Sequence, residues 1–143
     1  MDDMSFKADT HLNTCAVLSQ MGRHDLAMYH AQSSIMLVQQ SLLIEFLPSR
    51  KDSKKSSKEK EKDREREKEK DEELKKEFKD RISTLAVSYH NLGVEQEFLK
   101  MYNESIESYK QAANFASRYL GAEDDIFKNL NNVYLKAKSE LDK

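Results

Sequence analysis

With 143 residues, 35% of them charged and 38% hydrophobic, the chain is one domain's worth, and part of it must lie outside any core. One proline, three glycines and no tryptophan favour helices over turns and strands. The net charge of −2 divides into 15 Lys/Arg against 12 Asp/Glu within 50–81 and 9 against 14 elsewhere, neither part basic enough to predict nucleic-acid binding.

The expected fold is all-α, with about five helices. A first helix over about 5–21 carries an apolar stripe of Phe6, Leu12, Cys15, Ala16 and Leu18, and Gly22 ends it through a left-handed turn. A second starts at His24 or Asp25, shows Leu26, Ala27, Ala31, Ser34, Ile35, Val38 and Leu42, and stops before Pro48. The stretch 48–70 is low in complexity. Its signs alternate between Lys58 and Asp71, so opposite charges fall at i,i+3 and like charges at i,i+4. Those terms, each roughly 0.2–0.5 kcal/mol, largely cancel, which predicts a frayed, disordered insertion. From Asp71 the pairing improves (Asp71–Lys75, Glu72–Lys76), and a third helix is expected over about 71–99 with a seam of Leu74, Phe78, Ile82, Leu85, Tyr89 and Leu92. A fourth follows over about 103–120, with Ile106, Tyr109, Ala112, Ala113, Ala116 and Tyr119 inward and Gly121 after it. A fifth, capped by Asp124 or Asp125, contains Ile126, Phe127, Leu130, Val133, Tyr134, Ala137 and Leu141.

Two of these stretches read as one helical hairpin written twice. Leu12-Asn13, Gly22, Ala27 and Ala31 recur as His90-Asn91-Leu92-Gly93, Lys100, Ser105 and Tyr109 at an offset of 78 residues. Subtracting a repeat of ~34 leaves about 44 inserted residues, half of them extensions of the second and third helices that can pair antiparallel. The division expected is therefore 5–47, a first hairpin with a long second helix; 48–70, a charged linker; 71–120, a second hairpin with a long first helix; and 122–142, a capping helix.

The matching residues, with Tyr89, Tyr102, Ala112, Tyr119-Leu120-Gly121 and Leu130-Asn131-Asn132-Val133-Tyr134, resemble the tetratricopeptide repeat family, and within it the repeats of kinesin light chains. The resemblance covers about two thirds of the chain; Lys100 departs from the usual turn glycine, and the long insertion is atypical. It implies a right-handed solenoid whose concave groove holds a peptide or helix of a partner protein. Asn13 and Asn91 occupy the point from which family members hold a peptide backbone, and Asn132, or Asn129 in the other register of the fifth helix, extends that row. Leu12, Ala16, His90, Val94, Glu97 and Phe98 are expected to flank it. The basic residues of the chaperone-tail-binding subset are missing, since Leu12, Asp125 and Asn129 stand in their places.

The function expected is non-catalytic: a scaffold or adaptor within a larger assembly, with no cofactor and no metal. His11 and Cys15, four apart on one helix, are two metal-ligand types without a third and are expected in the core, whereas His24 and His30 are expected on the surface. No nucleophile elbow or phosphate loop is present. Cys15, the only cysteine, forms no intrachain disulfide and fits a reducing compartment. The sequence has no apolar run near ~18 residues and no secretion signal, so a cytoplasmic protein without a membrane partner is expected. The family resemblance adds a cytoskeletal or ciliary setting. Ser49, Ser53, Ser56 and Ser57, set among lysines, are candidate phosphorylation sites at which a phosphate would reverse the local charge. Two repeats are fewer than such arrays need, so an apolar edge through Phe6 and Val17 is expected to be covered by a partner or a second copy. The alternative is a structural coiled-coil-like element in which 38–47 and 71–85 drive oligomerisation.

Overall fold

The computed structural model describes residues 3–46 and 60–141. Among them there are five helices and no strand: α1 (Asp3–Gln20), α2 (His24–Phe46), α3 (Lys60–Phe98), α4 (Tyr102–Tyr119) and α5 (Asp125–Leu141). Each helix packs on the next in sequence, and α1 also touches α3.

The two hairpins turn by the same hydrogen bonds. In the first, Gly22 N–H donates to Ser19 O (3.0 Å) and Arg23 N–H to Leu18 O (2.9 Å). In the second, Lys100 N–H donates to Glu97 O (3.1 Å) and Met101 N–H to Gln96 O (2.8 Å). Every atom of one set lies 78 residues from its counterpart, and both are Schellman closures that need a left-handed residue. Gly22 supplies it at φ 77° without a Cβ penalty, whereas Lys100 holds φ 64° against one.

The seams repeat as well. Ala27, Ala31, Ser34, Ile35 and Val38 are the buried face of the first hairpin's second helix; their counterparts Ser105, Tyr109, Ala112, Ala113 and Ala116 are buried on α4. At one step the sizes are exchanged. Cys15 and Ala31 share the first core, whereas Gly93 and Tyr109 face each other in the second. A Cβ on Gly93 would fall 2.6 Å from Tyr109 Cε1, so the tyrosine ring occupies the space that a side chain would need. Ser105 Oγ donates to Gly93 O (2.8 Å), and Ser108 Oγ donates to Gln96 Oε1 (2.6 Å) across the same seam.

Between hairpins, α2 lies on α3. Val38, Ile82 and Leu85 are buried in one cluster, with Leu42 and Phe78 packed against it. Ser34 and Ser88 hydroxyls meet at 2.9 Å, and Ser88 donates onward to Thr84 O (2.7 Å). Phe78, Tyr119, Phe115 and Tyr89 then form a chain of ring contacts that lays the end of α4 along α3. On α5, Leu130 is buried against Ala86, Ala112 and Ala116, and the Asp124 carboxylate accepts from Ile126 N–H at 2.9 Å as a cap.

One expectation is corrected. α3 begins at Lys60 rather than at Asp71, so residues 60–70, expected to be frayed, are helical. The i,i+3 and i,i+4 charge terms do nearly cancel. What remains is the strong helix propensity of Lys, Glu and Arg, which lengthens a helix already nucleated by the packed stretch beyond Phe78. Side chains 64–77 are exposed, so this part is a charged rod. The rest of the expected linker, 48–59, lies outside the described residues.

Substituting Gly93→Ala is expected to cost about 1–3 kcal/mol by overpacking. Adding Tyr109→Ala, which recreates the small pair of the first hairpin, should cost clearly less than the sum of the single changes in urea unfolding. Lys100→Gly relieves the left-handed strain and should raise stability by about 1 kcal/mol in the same measurement.

Candidate interaction surface

The flanking residues expected on α3 divide between two neighbours. His90, Gly93 and Glu97, at helical steps of three and four, line the side that meets Tyr109. The His90 and Tyr109 rings lie 5.6 Å apart, and the Tyr109 hydroxyl donates to Glu97 Oε2 at 2.7 Å. Burial, and then this bond to Glu97, push the Tyr109 hydroxyl well above its ordinary range, so it stays a donor. Phe98 turns the other way and stacks on His24 of α2 at 4.1 Å, while 60% of its surface stays open. Asn91 and Val94 are half-buried between them. On α1, Leu12 is half-buried, and Asn13 and Ala16 are exposed; on α5, Asn132 is exposed. The four phosphorylation candidates, Ser49, Ser53, Ser56 and Ser57, lie outside the described residues.

Two histidine expectations are corrected. His24 is not a free surface residue: its Nδ1–H donates to Glu95 Oε2 at 2.6 Å, and Glu95 is only 2% exposed. A buried carboxylate needs such a partner, and this pair ties the start of α2 to the end of α3. His30 is half-buried and meets His11 Nδ1 to Nδ1 at 2.8 Å across α1 and α2, one nitrogen donating to the other. Of the two residues expected in the core, Cys15 is buried, and His11 is half-buried with His30 as its partner. Both pairs join residues far apart in sequence, so helical spacing gave no sign of either.

Cys15 is buried. Burial, with the Glu95 carboxylate nearby, pushes its thiol up to about 11, so it remains protonated and unreactive at neutral pH. His90 Nδ1 is buried without a hydrogen-bond partner. Burial lowers the His90 pKa; burial and the adjacent His30 lower that of His11. Among the described residues, no three His, Cys, Asp or Glu side chains gather as a metal site, and no helix is long and apolar enough to cross a membrane.

Large apolar side chains stay open on several helices: Phe6 and Val17 on α1, Tyr29, Met36 and Leu43 on α2, and Leu135 and Leu141 on α5. Tyr29, Met36 and Leu43 recur every seven residues and so form one stripe. A cleft of about 220 Å³ opens where the end of α3 and the start of α4 meet the end of α5. No family model, no curated protein and no solved structure matches the chain.

The lowered histidines set an acid dependence. A folded state holding His11 and His90 below their ordinary 6.5 binds fewer protons than the unfolded chain. Stability is then complete above 6.5 and declines as pH falls below it through the lowered folded values. Urea midpoints measured across that interval should drop for the native chain and drop less steeply for His11→Gln and for His90→Gln.

Proposed function

We propose that the chain is a non-catalytic protein–protein interaction module, a tetratricopeptide-like scaffold or adaptor that holds a peptide or helix of a partner within a larger assembly. The observation that carries this reading is the duplicated hairpin. Its turn bonds and buried small-residue face recur 78 residues apart, and stacked hairpins of this kind present extended surfaces. The inner faces of α2 and α4 are taken up by packing. Asn13, Ala16, Glu97, Phe98 and Asn132, on α1, α3 and α5, remain open to a partner.

The buried ionisable groups support a non-catalytic role. The Cys15 thiol is held protonated, Glu95 is bound to His24, and Tyr109 to Glu97, each bond fastening one helix to another. The coiled-coil-like alternative is less favoured, because Val38, Ile82 and Leu85, which it would use between chains, are consumed within this one. Among the described side chains of those segments, Leu43, Ile44 and Leu74 remain exposed for it. A cytoplasmic setting belongs to this proposal, and the family resemblance adds a cytoskeletal or ciliary one.

Affinity purification of the full chain from cells, with mass spectrometry, identifies the partner for a binding assay. Asn13→Ala with Asn91→Ala should then weaken binding roughly tenfold, about 1.4 kcal/mol, with the urea midpoint unchanged. Unchanged partner binding, together with self-association in sedimentation that Leu43→Ala and Leu74→Ala abolish, would transfer the conclusion to the coiled-coil alternative.

A further inference from the structure

We propose that the cleft between the end of α3, the start of α4 and the end of α5 receives a lysine or arginine side chain of a partner polypeptide, with the apolar neighbours of that residue seated on its floor. This inference rests on the interaction-module reading and specifies the chemistry that such a partner must carry.

The cleft joins two features that suit one kind of occupant. Ile106, Ala137, Leu141 and the Tyr102 ring supply apolar wall, and Glu97 and Glu140 supply the charge. Both ionisable groups other than tyrosine that line it are carboxylates, and among the described residues that line it none is basic. An acidic peptide would meet like charge there, and a wholly apolar one would strip water from two carboxylates without replacing its hydrogen bonds. A lysine or arginine does neither. Its hydrocarbon stem covers the wall, and its charged head forms charge-assisted hydrogen bonds with carboxylate oxygens.

Glu97 is held ready for this. Its Oε2 accepts from Tyr109 at 2.7 Å, and Tyr109 is itself wedged against Gly93, so one rotamer of the glutamate is supported before a partner arrives. Its second oxygen is left to accept from an incoming cation. A volume of about 220 Å³ accommodates a side chain or two, not a folded domain, so the partner enters as one or two side chains of a helix or extended segment.

The test is selection of random peptides displayed on phage against the full immobilised chain, followed by affinity measurement on the enriched peptides. Enrichment of lysine or arginine between apolar residues is expected. Glu97→Gln with Glu140→Gln, which leaves an acceptor for Tyr109, should weaken those peptides at least about tenfold. High salt should weaken them as well, and Glu140→Lys should shift selection towards aspartate and glutamate. Enriched peptides that lack a cation, or whose binding survives the double substitution, overturn the cleft assignment. If such peptides are lost in Asn13→Ala with Asn91→Ala, the interaction-module reading stands without it. Failure of any peptide to enrich overturns both.

Discussion

Two antiparallel helices exclude water from between them only where the intervening side chains leave room for close approach, and this chain satisfies that condition twice. Ala8, Cys15, Ala27 and Ala31 are buried in the first hairpin, and Ser105, Ala112, Ala113 and Ala116 are buried on α4 of the second. The exception explains the rule. Where Tyr109 enters the seam, the opposite position is Gly93, so the space given up by one side chain is filled by the other. Interiors are packed to crystal-like density, and a volume change at one position of such a pair is felt unless its neighbour answers it. The rest of the architecture follows from these narrow seams, since they bring α1 beside α3 and leave α5 to close over α4.

Polar groups secure the places where the hairpins meet. Glu95 is buried where the first hairpin's turn reaches the end of α3, and His24 answers it at 2.6 Å while stacking on Phe98. A carboxylate buried without that imidazole would carry an uncompensated desolvation cost of several kcal/mol, so the contact orients the hairpins as well as joining them. Tyr109 does the same within the second hairpin by holding Glu97. The core and the proposed binding surface therefore share residues. The glycine that admits Tyr109 also fixes the glutamate at the cleft.

Much of this was legible along the chain because it is written in local signals. Gly22 and Gly121 mark left-handed turns, the recurrence at 78 residues marks the second hairpin, and runs of alanine and serine mark the seams. Even the Lys100 departure from glycine was readable, and its turn closes with the same bonds. The start of α3 was not, because the charge-pairing terms over 60–70 nearly cancel and the propensity of Lys, Glu and Arg, small per residue, adds up over a long run. The partners of His24 and His30, Glu95 and His11, lie 71 and 19 residues away, beyond any helical period, so local spacing gives no sign of either contact.

Taken alone, the order of amino acids determined five helices, where α1, α3 and α4 end, and which faces are apolar, because each depends on neighbours within a turn or two. The tertiary structure decided which polar groups meet: that His90 and Glu97 face Tyr109 while Phe98 faces His24, and that Glu97 and Glu140 share one cleft. Those pairings join residues on different helices. They are set by the angle and register at which helices cross, which the packing of all the seams determines together and no single stretch of residues specifies.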